Sequence, residues 1–197
     1  EIEELSRGYV RALFLELGPK IDIPAPDMYT NPQIMGWMMD EYSRMRGYTS
    51  PASFTGKPME TGGILGRYTA TADGGLIALE KVRGISGKNA SDMRVAIQGF
   101  GNAGFNFARA AHDAGYTIVA VSDSKGGIRA KNGASIDPNV VMENKKEKGL
   151  IDGMYCVGAG CDTENYEPIT NEALLETEWD VLVPAALEGQ ITKENAD

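Results

Sequence analysis

The sequence is poor in the residue types that most often bind structural metals. Its 197 residues include two cysteines and one histidine. Cys156, Cys161 and His112 fall short of the ligand set of a structural zinc site, so we expect no metal. A disulfide between the two cysteines is one possibility, although a chain inside the cell normally keeps its thiols reduced. His112 lies in an alanine-rich helical stretch, where an ordinary helix residue is the simplest interpretation.

The sequence also lacks a long hydrophobic run and an excess of positive charge. No apolar stretch approaches the ~18 residues that cross a bilayer, so we expect no membrane partner. Nineteen basic and 28 acidic residues give a net charge of −9, which argues against nucleic acid as a partner because its binding needs basic surface. The opening Glu-Ile-Glu-Glu has the wrong charge for a signal peptide, and we expect a cytoplasmic location.

The first third of the chain has helical periodicity and then a glycine-rich stretch. Apolar residues at helical spacing predict an amphipathic helix over residues 2–17, and residues 21–23 predict a short strand. Asn31-Pro32 predicts the N-cap and first position of a second helix that ends near Gly47. Residues 48–68 are the candidate linker. The residues that form the apolar stripe of the first helix are Ile2, Leu5, Tyr9, Leu13 and Leu17.

From about residue 70 onward, helix and strand patterns alternate. The near-continuous apolar run at 117–123 is typical of a strand buried on both faces, as in a parallel sheet. The alternation predicts a doubly wound α/β unit. Helices are predicted at 71–83, from the glycine turn to 115, at 137–148 and at 170–177, and further strands at 94–98 and 180–184.

A glycine-rich turn follows the predicted strand 94–98 and precedes a predicted helix. Gly99, Gly101 and Gly104 would allow a tight turn, close approach of a pyrophosphate, and close packing of the helix on the sheet. The helix N-terminus supplies free N–H groups and partial positive charge for the phosphate. Asp123 ends the next strand, at about the spacing of an acid that binds adenosine ribose. The pattern predicts a Rossmann-like dinucleotide-binding domain rather than a glycine-rich turn in some other α/β protein.

Asp123 also bears on which dinucleotide binds. It favours NAD, because a carboxylate repels the 2′-phosphate of NADP. However, Ser122, Ser124 and Lys125 flank it and could hydrogen-bond or pair with that phosphate. We therefore expect NAD as the cofactor and keep NADP as the alternative.

Five segments of the chain together carry the pattern of a known family. They are residues 22–42, Phe54-Thr-Gly-Lys-Pro58, Ile97-Gln-Gly-Phe-Gly-Asn102, Ser122-Asp-Ser-Lys-Gly-Gly-Ile128 and Val183-Pro-Ala-Ala-Leu-Glu-Gly-Gln190. These segments resemble glutamate dehydrogenase, of the Glu/Leu/Phe/Val dehydrogenase family, and they occur in the family's order over nearly the whole chain. The resemblance implies reversible oxidative deamination of L-glutamate to 2-oxoglutarate and ammonia, with hydride transfer to nicotinamide.

The resemblance also implies roles for individual residues. Asp27, in a proline-flanked turn, matches the acid that serves proton transfer, and we expect a fixed, buried carboxylate there. Thr71 matches the threonine that contacts the nicotinamide amide, with Arg67 in the same motif, although alone Thr71 is interpreted as a helix N-cap. Ala185 and Ala186 would leave room for the nicotinamide ribose, which packing explains equally well. The other expected cofactor-binding residues are Gly99, Phe100, Gly101, Asn102, Ala103, Gly104, Asp123 and Ser124.

Two domains are expected from the resemblance. Residues 1–55 would be the partial end of an α/β substrate and oligomerisation domain, and residues 56–197 a C-terminally truncated dinucleotide-binding domain. The family's lysine-bearing, glycine-rich segments and its later Gly-Ala-Asn segment are absent from the chain. We therefore expect an internal fragment that is inactive alone, from a protein that forms homo-oligomers, hexamers in the full-length family.

An alternative is a non-enzymatic dinucleotide-binding module, or a partner subunit derived from a truncated paralogue. Its motivation is a group of departures from the family pattern around the loop expected to face the cofactor. The departing residues are Ile64, Tyr68, Ala72 and Asp73.

Overall fold

A computed structural model describes residues 1–151 and 155–196. The chain forms two compact units, Glu1–Tyr68 and Thr69–Asp197. The predicted domain boundary at residues 55 and 56 stays a prediction. Among the described residues, no helix is both long and apolar enough to span a membrane.

The first unit is built on two helices, α1 (Ile2–Ala12) and α2 (Pro32–Arg46). The side chain of Asn31 accepts a hydrogen bond from the backbone N–H of Ile34 at 3.0 Å, and Pro32 takes the first helical position. Gly47 ends the helix in the left-handed conformation, which glycine adopts without steric cost. The predicted cap and end of α2 are thus confirmed. The buried core of this unit comprises Val10, Leu17, Met35, Met39, Tyr42 and Phe54.

The beginning of the chain departs from two predictions. The helix predicted over residues 2–17 ends at Ala12, and its apolar stripe points outward, with Ile2 63% and Leu5 75% exposed. Residues 21–23 form only an isolated bridge between Leu17 and Asp22 rather than a strand. Pro24 lacks a backbone N–H, so a strand could not continue its hydrogen bonding past this point.

Ion pairs rather than the apolar stripe join the outer side of α1 to α2. The Glu41 carboxylate is buried and lies 2.5 Å from Arg44 and 3.4 Å from Arg7. Arg44 and the other nearby arginines lower the pKa of Glu41, since they stabilise its charged form. Arg7 also pairs with Asp40 at 2.6 Å. Ion pairs therefore join the two helices on the outer side of α1, and apolar packing joins them on its inner side.

The second unit is a five-stranded sheet covered by helices. The strand order is β6-β3-β2-β1-β7, with β1 parallel to both of its neighbours. The predicted α/β unit is confirmed, and most of its elements lie within a few residues of their predicted bounds. The helices are α3 (Ala70–Ser86), α4 (Asn102–Asp113), α5 (Pro138–Lys148) and α6 (Asn171–Leu175), and the strands are β1 (Arg94–Gln98), β2 (Thr117–Asp123), β3 (Gly126–Ala130), β4 (Cys156–Val157), β5 (Gly160–Cys161), β6 (Tyr166–Ile169) and β7 (Val181–Pro184).

Alternating residues of the central strands bury opposite faces of the sheet. Val95 and Ile97 of β1 join a large core with α3, α4 and α5. Ala96, between them, packs with Leu174 and Leu175 of α6 on the other face. This alternation follows from the strand period of two, and it places helices on both faces, as a doubly wound sheet requires.

The sheet is not parallel throughout. β3 runs antiparallel to both β2 and β6. Neither β3 nor β6 was predicted, because Gly-Gly-Ile-Arg-Ala and Tyr-Glu-Pro-Ile are short and contain residues that are rare in strands. The other difference is a disulfide between Cys156 and Cys161, which the sequence left open while favouring reduced thiols.

Candidate functional site

The turn from β1 into α4 requires glycine at two positions. Gly99 has φ +92°, and a Cβ there would lie 2.3 Å from the carbonyl oxygen of Ala185. A Cβ on Gly104 would lie 1.8 Å from the carbonyl oxygen of Gly99. Both distances are far below van der Waals contact, so no side chain fits at either glycine without moving backbone.

Gly101 is a glycine for which the chain's own packing supplies no reason. A Cβ there would meet nothing within 4 Å, and the residue is exposed as the N-cap of α4 without a side-chain cap bond. The space in front of it adjoins the backbone of Asn102 and Ala103, where α4 begins. Early N–H groups of a helix attract anions. This part of the turn fits a phosphate that needs close approach to the backbone.

Phe100 attaches the turn to the interior of the protein. Its ring is buried and meets the ring of Phe105 edge-to-face, with 5.6 Å between the centroids. The backbone N–H of Gly99 also donates to the carbonyl of Ser122 at 2.9 Å. The turn is thus held by the interior of the sheet while Gly101 and Asn102 stay exposed.

Asp123 ends β2, at the same edge of the sheet, and its carboxylate is engaged within the chain. One oxygen accepts the backbone N–H of Lys125 at 2.9 Å, and the other lies 2.8 Å from the Lys145 ammonium. Lys145 also donates to the carbonyl of Phe100 at 3.1 Å. Lys145 was not predicted as a site residue, because nothing in the spacing of α5 shows that it reaches two residues so far away in the chain.

Ser124 is exposed beside Asp123. It borders an open cleft of about 490 Å³ whose other wall includes Thr170 and Asn171. Asn171 also accepts a hydrogen bond from the hydroxyl of Ser122 at 2.8 Å. Of the two residues expected at the adenosine end of the cofactor, Asp123 and Ser124, the cleft is therefore lined by Ser124.

Ala185 and Ala186 follow β7 at this same edge. The backbone N–H of Ala185 donates to the carbonyl of Gln98 at 2.7 Å, which continues the parallel pairing of β7 with β1 past Pro184. The Gln98 amide donates to the Gln190 side chain at 2.8 Å. The structure thus brings the predicted glycine turn from Gly99 to Gly104, here called the cradle, together with the two alanines. Ala185 is half-buried and Ala186 is exposed.

Thr71 and Arg67 are exposed residues that belong to different compact units. Thr71 lies in the first turn of α3 and is not its N-cap, so that interpretation was wrong by two residues. The N-cap is Thr69, whose hydroxyl donates to the Asp73 carboxylate at 2.7 Å. A role for Thr71 and Arg67 in cofactor binding stays a prediction.

Asp27 lies in a tight turn of the first unit. Its side chain accepts the Met28 N–H at 2.7 Å, and the hydroxyl of Thr30 both accepts from the Asp27 N–H and donates to the Asp27 carbonyl. The ring of Pro26 packs against Gly56, where a Cβ would come within 2.4 Å of it. Asp27 is exposed, so the expected burial is wrong, while the expectation of a fixed turn is met by these contacts.

The second unit therefore has an α/β fold with an open, glycine-lined cradle at the carboxyl ends of its parallel strands, the edge where such sheets bind ligands. Comparison with known families agrees with this class. Residues 62–197 match the family model Glutamate/Leucine/Phenylalanine/Valine dehydrogenase, and residues 1–44 match the Glu/Leu/Phe/Val dehydrogenase dimerisation domain. The chain belongs to the Glu/Leu/Phe/Val dehydrogenase family.

Curated relatives with similar sequences are glutamate dehydrogenases of two cofactor specificities. The chain is 47% identical over 197 residues to an NADP-specific glutamate dehydrogenase of Synechocystis, covering all of this chain and 46% of that protein. It is 46% identical over 196 residues to the catabolic NAD-specific glutamate dehydrogenase RocG of Bacillus subtilis, covering all of this chain and 43% of that protein. The chain thus spans less than half the length of these relatives.

Solved structures of the same family have the same fold. A hetero-hexameric glutamate dehydrogenase from Thermus thermophilus in a leucine-bound form superposes with a TM-score of 0.86 at 34% identity, over all of this chain and 44% of that one. A glutamate dehydrogenase from Peptoniphilus asaccharolyticus gives a TM-score of 0.69, also at 34% identity, over all of this chain and 43% of that one. The Rossmann-like character of the fold is confirmed by these neighbours.

Proposed function

We propose that the chain is part of a glutamate dehydrogenase, which converts L-glutamate reversibly to 2-oxoglutarate and ammonia with NAD, or alternatively NADP, as hydride acceptor. The observation that carries the proposal is the cradle: exposed, unobstructed backbone at Gly101 lies between Gly99 and Gly104, where no side chain fits. Relatives at 46–47% identity are glutamate dehydrogenases, which supports the choice of substrate.

The residues of the second unit would hold the cofactor. Backbone N–H groups at Asn102 and Ala103 would donate to the pyrophosphate, supported by the dipole of α4. Asp123 would accept from ribose hydroxyls through the lone pairs that Lys125 and Lys145 leave unused. When bound, the cofactor accepts a hydride. Ala185 and Ala186 would leave space for the nicotinamide ribose, because their side chains are no larger than a methyl group.

The remaining predicted site residues would act on the reacting end. Thr71 would contact the nicotinamide amide, with Arg67 nearby in the same motif. Asp27 would take part in proton transfer, for which an exposed carboxylate whose turn is held by Thr30 is geometrically suited. Both assignments come from the family pattern at these positions.

The two compact units support an assignment of domains. Residues 1–55 would be the end of a substrate and oligomerisation domain, and residues 56–197 most of the dinucleotide-binding domain. The first assignment is supported by the match of residues 1–44 to a dimerisation domain. The whole protein would form homo-oligomers, as hexamers, in the cytoplasm.

Calorimetric titration of the 197-residue chain with NAD and NADP tests the proposal. We expect weak binding of NAD and negligible glutamate-dependent NADH production. The Gly101→Ala variant should weaken NAD binding by about tenfold, since its Cβ would occupy the approach of the pyrophosphate. Gly74→Ala is the matched control, because Gly74 lies in α3 and its Cβ would also meet nothing within 4 Å.

Three outcomes would count against the proposal. Equal NAD affinity for Gly101→Ala and wild type would remove the cradle as the binding site. Absence of binding to both dinucleotides would contradict dinucleotide binding itself. Glutamate-dependent NADH production by the pure chain would contradict its predicted inactivity alone.

A second candidate is a subunit that binds a dinucleotide without turnover and works beside an active partner. The Thermus thermophilus neighbour is a hetero-hexamer, so glutamate dehydrogenases can be assembled from unlike subunits. The flanking reading frame distinguishes the two candidates: a continuous upstream frame that encodes the lysine motifs supports the enzyme, and a start codon directly before the codon of Glu1 supports the module.

A further inference from the structure

The Cys156–Cys161 disulfide joins residues that lie directly opposite each other in the β4–β5 hairpin. The two cysteines differ in their exposure: Cys156 is buried and Cys161 is exposed. Thiol–disulfide exchange requires an attacking thiolate to reach one of the two sulfurs, so the accessibility of each cysteine decides which one is attacked. A thiol from solution therefore reaches Cys161.

Lys148 makes Cys156 the better leaving group. Its ammonium lies 3.3 Å from the Cys156 sulfur, and a positive charge at that distance stabilises a thiolate. A leaving thiolate that is stabilised departs faster. Accessibility at Cys161 and charge at Cys156 thus favour the same direction of bond breaking.

The hairpin is attached to α5, which also reaches the cradle. The Asn144 amide donates to the Cys156 carbonyl at 3.0 Å in a buried hydrogen bond. One residue further along α5, Lys145 pairs with Asp123 at 2.8 Å and donates to the Phe100 carbonyl at 3.1 Å. The same turn of α5 therefore contacts both the backbone of Cys156 and two predicted cofactor-binding residues.

Apolar packing alone holds α5 only modestly. Val141 joins the buried apolar core, with Met142 partly buried beside it, and Pro138 is buried at the first position of the helix. Lysines and other polar residues fill the second half of the helix. The position of Lys145 consequently depends on polar contacts, among them the two that α5 makes with Cys156.

We propose that Cys156 and Cys161 form a reversible disulfide that an external thiol opens at Cys161. The attacking thiolate bonds to the Cys161 sulfur, the disulfide bond breaks, and its electron pair stays on Cys156 as a thiolate beside Lys148. A second thiol of a dithiol reductant then displaces Cys161, leaving the reductant oxidised and both cysteines reduced. Opening the hairpin loosens α5 and weakens dinucleotide binding, a consequence that rests on the proposed function.

The chemistry is tested by treating the oxidised chain with limiting glutathione, quenching with acid and locating the adduct by mass spectrometry. We expect glutathione on Cys161 and a free thiol at Cys156. Lys148→Gln should slow the reaction by about tenfold, whereas Lys146→Gln, an exposed lysine of the same helix, should leave the rate within about twofold. An adduct on Cys156, equal rates in both variants, or two free thiols in the air-oxidised chain would overturn the proposal.

The link to the cradle is tested by titrating NAD into the oxidised chain, the reduced chain and the Cys156→Ser/Cys161→Ser double variant. We expect the last two to bind alike and about three- to tenfold more weakly than the oxidised chain. Equal NAD affinity of all three forms would show that opening the disulfide does not change dinucleotide binding through α5. If no form binds NAD, the proposed function fails, and the position of the glutathione adduct still decides the disulfide chemistry.

Discussion

Two turns carry the predicted chemistry, and they are held in different ways. The cradle from Gly99 to Gly104 lies against backbone that is distant in sequence, since Gly99 meets Ala185 and Phe100 accepts from Lys145. The polar contacts of Asp27 come from its own turn, through Met28 and Thr30. A backbone site needs the assembled sheet, whereas a carboxylate in a local turn is oriented by its immediate neighbours.

The two turns can be probed separately, because each unit has one tryptophan. Trp37 lies in the first unit and Trp179 in the second. Single-tryptophan variants, made with Trp37→Phe or Trp179→Phe, let urea unfolding be followed by fluorescence in one unit at a time. Each background is its own reference for the substitutions below.

The largest expected effect is at Gly104. Gly104→Ala would place a Cβ 1.8 Å from the Gly99 carbonyl oxygen, and α4 would have to move off the sheet. We expect a loss of about 3 kcal/mol in unfolding free energy or more, read from Trp179. Gly74→Ala, in a helix with free space, should be neutral or slightly stabilising. Equal costs for the two variants would show that the cradle is not built on close backbone contact.

An intermediate effect on the unfolding free energy is expected at Asp180, whose contacts join the start of β7 to β1. The Arg94 backbone N–H, the Lys88 ammonium and the Arg94 guanidinium lower the pKa of Asp180 to about 2. Because this pKa lies below its ordinary value of 3.8, the stabilisation is complete above about pH 4 and is lost as pH falls towards 2.

Asp180→Asn should therefore cost about 1 kcal/mol at neutral pH, and its difference from wild type should shrink between about pH 4 and pH 2. The estimate is modest because the partner side chains of Arg94 and Lys88 are 44% and 52% exposed. Glu178→Gln is the control, since Glu178 pairs with the same arginine but is 90% exposed. A pH-independent difference for Asp180→Asn would contradict the ion-pair explanation.

The smallest expected effect on stability is at Asp27. Asp27→Ala should change the unfolding free energy by less than about 1 kcal/mol, read from Trp37, because water can replace the carboxylate at the exposed Met28 N–H. NAD affinity should stay unchanged. A large loss of stability would show that Asp27 supports the fold of its unit, and the contrast between the two turns would disappear.

Local signals predicted many of the elements. The Asn31-Pro32 cap of α2 and the β1 strand were confirmed because each rests on neighbours within a few residues. The cradle glycines could also be predicted from local signals, because their spacing reflects a local turn. Their need for glycine was expected, although the partner of Gly99 was not.

Signals that depend on pairing across the chain were missed. β3 and β6 have weak strand propensity and exist through their antiparallel pairing with β2 and with each other. The stripe of α1 correctly indicated a helix, but periodicity alone did not show that Ile2 and Leu5 point outward. Charge pairing with Glu41 is a property of two helices together.

The family, the α/β alternation and the glycine turn could be predicted from the amino-acid sequence, because spacing and local backbone preference depend on neighbouring residues. In contrast, the contacts of Lys145 with Asp123 and Phe100, the contact of Cys156 with Lys148, and the exposure of Asp27 are seen only in the folded chain. The physical reason is that ion pairing, burial and disulfide formation depend on distances between residues that the chain brings together only on folding.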